Sequence, residues 1–238
     1  MNTFLAGLEL RFRRADVRCV VCAALWLSLS TVHLCGQAAA LLDFGDAPLP
    51  YPTVRTNNGA QHAILQSFHL GLREDAEADG QPNPNALGDD AATAGSLGDE
   101  DGVTFVTALS AGQVATVNVV ASEDGKLDAW IDFDANLSWA EQADQIFLNR
   151  PLVAGTNVLT FTVPASAHPG FTFARFRLSK KGGLRFDGAA TDGEVEDYRV
   201  QINATQEAAN VTIFKRGTPN PVVVGSNLTY TLVVQNNG

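Results

Sequence analysis

Basic charge is in short supply in this chain of 238 residues: 16 Lys+Arg stand against 26 Asp+Glu, a net charge of −10. A general nucleic-acid binder needs basic surface to displace counterions, and a polybasic membrane-surface protein needs the same, so neither class fits. Histidine is scarce at four, and neither H-E-x-x-H nor G-x-S-x-G occurs. The zinc-peptidase and serine-hydrolase signatures are therefore missing. Long amphipathic helical patterns are lacking too; Ala60–Leu70 alone has the spacing of a short helix. Methionine occurs once and cysteine three times, whereas glycine reaches 21 and proline 10. That balance favours strands and turns over helical bundles. With 45% hydrophobic residues the chain has enough apolar side chains for a core.

The first forty residues read as a secretory signal peptide. Arg11, Arg13, Arg14 and Arg18 form a basic start, Cys19–Leu34 is the apolar run, and Gly36, Ala38, Ala39 and Ala40 offer a small-residue cleavage site. The run falls short of the roughly 20 residues of a membrane span. The expectation is export by the general secretory route, to the cell surface or beyond. Cleavage would remove Cys19, Cys22 and Cys35 together, so the Cys19-x-x-Cys22 spacing is not read as a redox or zinc motif. It would also take four arginines and two acids, leaving a mature net charge of −12. An exported domain without disulfides needs a good core, a bound metal, or both.

The acids are concentrated. From Glu74 through Gly125 there are eleven acidic residues and no Lys or Arg, in a stretch rich in Gly, Pro, Asn and Ala. Such a loop repels itself unless a cation organises it. Beyond it, β-rich runs follow at Val103–Leu109, Val114–Ala121, Lys126–Asp134, Gln145–Asn149, Asn157–Val163, Phe171–Ser179 and Val195–Asn203. Seven short strands at this spacing predict an all-β fold, an antiparallel β-sandwich with long acidic loops. Residues 204–210 read as a linker. Val211–Lys215 and Val222–Gln235 read as the first strands of a second, truncated β-domain, since two strands cannot close a core.

Three acidic clusters carry the candidate chemistry. The first runs from Asp89-Asp90 to Asp99-Glu-Asp101. In the second, Asp132, Asp134 and Asn136 match the opening of a calcium loop, and strand alternation puts Trp130, Asp132 and Asp134 on one face with Ile131 and Phe133 on the other. The sixth loop position, normally glycine, is Leu137, and the twelfth is Ala143, so Glu141 would have to supply the closing carboxylate. Oxygen donors with little histidine point to Ca²⁺ over zinc. The candidate metal ligands are thus Asp99, Asp101, Asp132, Asp134, Asn136 and Glu141, with the Asp99–Asp101 loop and the Asp132–Asn136 turn expected to converge. The third cluster is Glu194-Val-Glu-Asp197. Glu194 and Glu196 share a face, and Arg175 and Arg177 share one on the preceding strand, which leaves both an ion-pair network and a metal role open.

Asp43-Phe-Gly-Asp-Ala-Pro48, Tyr51-Pro52, Gly59-Ala60, His62 and Gly71 together form an ordered set with Asp99-Glu-Asp-Gly-Val103 and Ala129-Trp-Ile-Asp-Phe133. Gln145-Ile-Phe147, Ala174-Arg-Phe-Arg-Leu178 and Gly193-Glu-Val-Glu-Asp197 complete it. Over about residues 41–203 this set resembles the GEVED domain of secreted bacterial proteins. One departure is local: the family's usual Asn-x-Asp-Gly loop is Asp134-Ala-Asn-Leu137 here. Residues 220–238 resemble the start of an Ig-like conserved-repeat domain of bacterial surface proteins. Both resemblances imply a β-sandwich module in an exported, multidomain surface protein, and neither supplies an activity. The expected function is a non-catalytic structural or adhesive module stabilised by calcium. The alternative is a carbohydrate-binding module in which Tyr51, Trp130, Trp139, Phe171 and Tyr198 supply stacking surfaces. An extracellular glycan or protein is the expected partner.

Overall fold

The computed structural model describes residues 41–88, 98, 100–205 and 210–236. Residues 1–40, where the signal peptide is expected, and Asp89, Asp90, Asp99 and most of the expected linker lie outside the described residues. The strands are β1 (Leu42–Phe44), β2 (Gln61–Ala63), β3 (Val103–Phe105), β4 (Leu109–Ser110), β5 (Val114–Ala121), β6 (Gly125–Ile131), β7 (Gln145–Leu152), β8 (Gly155–Thr162), β9 (Gly170–Ser179), β10 (Ala189–Ala190), β11 (Glu194–Asn203), β12 (Val211–Thr218) and β13 (Thr229–Asn236). Two short 3-10 turns, Arg55–Asn57 and Gln142–Asp144, are the helical pieces among the described residues. None of these is long and apolar enough to cross a membrane.

Alternation along the strands builds an all-β sandwich. On β5, Ala115, Val117, Val119 and Ala121 are buried while Val114, Thr116, Asn118 and Val120 face out. With Leu159 and Phe161 of β8 they form the inner face of a three-stranded sheet ordered β3-β5-β8. Opposite stands a five-stranded sheet ordered β4-β11-β9-β6-β7, contributing Leu127, Ala129, Ile131, Ala174, Phe176, Leu178, Val200 and Ile202. Each fully buried aliphatic or aromatic side chain here is worth about 1.5–3 kcal/mol of transfer free energy.

The five-stranded sheet is covered on its other face as well. Tyr51, Ala47 and Ala86 from the N-terminal segment form a second, smaller core with Trp130, Trp139 and Phe173. The first strands, β1 and β2, pair antiparallel, and β10 joins β2 in parallel. Ala60–Leu70, which has the spacing of a short helix, is not helical. Gln61–Ala63 is extended because it pairs with Leu42–Phe44, and that long-range ladder outweighs a weak local helical spacing.

Double coverage explains β9, which is buried from Thr172 through Ser179 even though it carries Arg175 and Arg177. A buried guanidinium is tolerated only when its donors are satisfied. Arg175 forms a bidentate pair with Asp197 (2.7 and 2.6 Å) and donates to the carbonyls of Pro52 and Phe186. Arg177 donates to His62 Nε2 at 2.9 Å and to the carbonyls of Arg185, Asp187 and Gly188. Burial, with the neighbouring Arg175, pulls the Arg177 guanidinium down to about 9. At the chain's end, β12 and β13 form a regular antiparallel hairpin. Residues 222–228, expected as strand, form its turn instead.

Candidate metal centre

Strand β6 ends in the core-facing Ile131, and the next residue turns the chain. Asp132 N–H donates to Phe173 O at 3.1 Å, and the Thr172 hydroxyl donates to Asp132 O at 2.7 Å. These bonds fix where the loop leaves the sheet. The Asp132 carboxylate is fully buried and accepts from Tyr51 Oη (2.5 Å), Leu137 N (2.9 Å) and Asn136 N (3.2 Å). Asp134 is exposed; it accepts from Asn136 N at 3.2 Å and Asn136 Nδ2 at 3.1 Å.

The third carboxylate comes from Asp144, at the end of the 3-10 turn Gln142–Asp144 and only 1% exposed. Phe133 N–H donates to its Oδ1 at 3.0 Å. Its Oδ2 is buried and has no hydrogen-bond partner. One carboxylate oxygen from each of Asp132, Asp134 and Asp144 lies within 4.8 Å of the others. Two ligands on a cation about 2.4 Å from each can stand no farther apart than about 4.8 Å, so this spacing fits one shared calcium ion. Three carboxylates this close repel one another when nothing lies between them. Burial, reinforced by Glu141, Asp132 and Asp134, accordingly pushes the Asp144 carboxyl up to about 7. Burial also raises Asp132, against the opposing pull of its bonds from Tyr51 and Leu137.

Two features of the loop bear on the sequence expectations. Leu137 occupies the position where a calcium loop carries glycine, yet it adopts the left-handed φ of 69° that the turn requires, as does Ala135 at 56°. The backbone course survives the substitution, at a cost of order 1–2 kcal/mol for a side chain in that region. The closing carboxylate lies one residue past the counted twelfth position: Asp144 enters the cluster, while Glu141 caps the 3-10 turn through its carbonyl and approaches Asp144 with its side chain. An acid at 144 was visible in the sequence; only counting by the EF-hand template hid it.

Among the described residues, the acidic loop does not converge on the Asp132–Asn136 turn. Asp101 accepts from Leu72 N at 2.7 Å, and its own N–H donates to Glu196 Oε1 at 3.1 Å. It sits against β11, with β9 between that strand and β6, and Asp99 lies outside the described residues. Of the six expected ligands, Asp132 and Asp134 come together as carboxylates, with Asn136 bonded to both.

The third cluster proves to be a clasp. Antiparallel register sets Asp197 opposite Arg175, so Asp197, and neither glutamate, takes the ion pair. Its Oδ2 also accepts from Ala47 N at 2.8 Å. On the opposite, core-facing side, Glu194 accepts from Leu70 N at 2.5 Å, and Glu196 accepts from Gly102 N at 2.7 Å. Asp43 reaches back from β1 to take Val195 N at 2.7 Å. Four acids thus cap backbone N–H groups across segments far apart in sequence, charge-assisted bonds of the stronger kind.

The aromatic residues considered for stacking are mostly interior. Tyr51, Trp130 and Trp139 belong to the second core, Tyr198 is half-buried against Phe105 and Phe176, and Phe171 is 58% exposed beneath the Arg199 guanidinium. His62 is buried as the acceptor for Arg177, with Nδ1 donating to Asp192 O, and burial holds it well below the usual histidine range.

A sandwich that is antiparallel apart from the parallel β4–β11 pair, closed by a clasp of carboxylates and with a carboxylate-lined turn at one strand end, defines a β-sandwich module. Residues 126–201, from β6 through most of β11, match the family model of the GEVED domain. No curated protein matches the chain.

Proposed function

We propose that this chain is an exported, non-catalytic surface module, structural or adhesive, whose sandwich is stiffened by one calcium ion at Asp132, Asp134 and Asp144. The observation that carries the metal reading is the unpartnered, buried Oδ2 of Asp144 beside two further carboxylates. A buried carboxylate oxygen without a donor is costly, and a cation is the partner that serves all three acids at once. The donors are hard oxygens, which select calcium or magnesium over zinc; the irregular, backbone-rich loop suits the flexible coordination of calcium better than the strict octahedron of magnesium. The leader pattern at 1–40 supports the exported setting. The tail supports the tandem Ig-like reading: on one face of the β12–β13 hairpin, Val211, Ile213, Tyr230, Leu232 and Val234 stand together, the pattern of a sheet with one face meant for a core. Thermal unfolding in calcium against chelator tests the metal. The folded state gains stability as calcium rises above its dissociation constant, by about 2.7 kcal/mol at a hundredfold excess. Equal midpoints at every calcium level overturn the proposal.

A further inference from the structure

Sheet edges expose unpaired N–H and C=O groups, and proteins normally blunt them with short strands, bulges, prolines or charges. Among the described residues, three of the four edges of this sandwich are blunted so. Strand β3 has three residues and β4 has two. Strand β7 carries Arg150 and Pro151, has Asn149 at a left-handed φ of 52°, and pairs with β6 through two register shifts. Strand β8 has none of these devices. Its eight residues, Gly-Thr-Asn-Val-Leu-Thr-Phe-Thr, include no charge and no proline, and its ladder with β5 runs unbroken from Gly155 to Thr162.

The ladder also shows which groups are free to pair. Thr116 O accepts from Val106 N, and Val120 N donates to Gly102 O, so both residues turn their backbone groups toward the β3 side of β5. Their partners on β8, Thr160 and Thr156, therefore form non-hydrogen-bonded pairs with β5. By the two-residue period, Thr156, Val158, Thr160 and Thr162 point N–H and C=O away from the sheet. The start of the strand is held in place by Asn157, whose side-chain amide donates to Val153 O and Gly155 O and whose Oδ1 accepts from Val153 N.

We infer that β8 is a docking edge for β8 of a second copy of this chain, joined antiparallel about a two-fold axis at Leu159. That register sets Val158 opposite Thr160 and Thr156 opposite Thr162 of the other copy, four pairs exchanging two hydrogen bonds each. Each facing pair on the outer surface is Thr with Thr or Val with Thr, side chains suited to cross-strand contact. Charge selects this occupant. At a net −10 the chain repels its own copies over most of its surface, and a basic partner would be drawn to the acid-rich loop. Along β8 no like charges meet, so an uncharged strip is the surface this strip accepts. The product is a six-stranded sheet, β3-β5-β8 joined to its two-fold mate, in an interface of modest area and correspondingly weak affinity.

Sedimentation of the full chain from about 1 to 200 µM tests the inference, and a reversible monomer–dimer equilibrium is the expected result. Val158→Lys with Thr160→Lys puts four ammonium groups on the axis and weakens the dimer by about tenfold or more. Thr160→Pro, which removes an outward N–H and keeps the β5 ladder, does the same. Thr231→Lys on β13 of the tail hairpin leaves the dimer unchanged. In the unmodified chain, amide exchange at Thr156, Val158, Thr160 and Thr162 slows as concentration rises. A chain that stays monomeric throughout, or a dimer lost with Thr231→Lys and kept with the β8 variants, overturns the inference; so does exchange at those four amides that ignores concentration.

Discussion

Asp144→Asn separates the electrostatic cost of the carboxylate cluster from its use. The Asp144 carboxyl has a folded value of about 7 against 3.8 for the free group. The folded state thus holds its proton more tightly than the unfolded chain does. Without metal, stability is greatest below about pH 4 as far as this group is concerned, and it declines as pH rises through 7. At pH 8 the penalty is at most about 4 kcal/mol, from some three units at about 1.4 kcal/mol each. An amide carries no charge and still accepts from Phe133 N–H, so the metal-free variant at pH 8 is more stable than the parent. At about 2–4 °C per kcal/mol for a domain of this size, its midpoint rises by several degrees. In calcium the gap narrows. The parent gains about 2.7 kcal/mol at a hundredfold excess, and the variant, with one anionic ligand fewer, gains less than half of that. Differential scanning calorimetry of both proteins at pH 5.5 and 8, in chelator and in calcium, reads each of these differences. A variant that keeps the parent's full calcium shift, or loses stability in chelator at pH 8, refutes the reasoning.

Other sites give sharper single results. Leu137→Gly relieves a left-handed side chain and should raise the chelator midpoint by the equivalent of about 0.5–1 kcal/mol while keeping the Leu137 N–H bond to Asp132; a lowered midpoint counts against the strain. Asp197→Ala strips the buried partner from Arg175 and should cost about 3–5 kcal/mol in urea unfolding, whereas a cost under about 1 kcal/mol would show the pair to be incidental. His62 is held well below its free value, so the unfolded chain takes up a proton below about pH 6.5 that the folded protein refuses, and stability falls as pH falls. His62→Gln should flatten that decline between pH 7 and 5 by up to about 1.4 kcal/mol per pH unit, read from urea midpoints.

Where local pattern sets structure, the sequence was readable. The run Val114–Ala121 is a strand with the expected bounds, and the alternation over 130–134 sends Trp130 to the small core and Ile131 and Phe133 to the large one. Long-range pairing was not readable. Strands β1, β2 and β10 have three residues or fewer, in segments punctuated by proline and glycine, and exist because distant partners hold them. Register was equally hidden. The two arginines on β9 were recognisable as a pair, but only the alignment of Asp197 with Arg175 decides which acid is the counter-ion. In the candidate metal centre, Asp132 and Asp134 follow from alternation alone, whereas Asp144 depends on a 3-10 turn that shortens the return path.

The acids of β11 and β1 have a kinetic meaning as well. Ala47 waits for Asp197, 150 residues later; Leu70 waits for Glu194 across 124, and Gly102 for Glu196 across 94. Contacts of such separation come late and slow the folding of a chain. The N-terminal third thus lacks these three bonds until nearly the last strand of the sandwich has been made, although Tyr51 reaches Asp132 and Gly102 reaches Val120 earlier in the chain. Closure over residues 47–102 is complete only when Glu194–Asp197 arrives to fasten what came first.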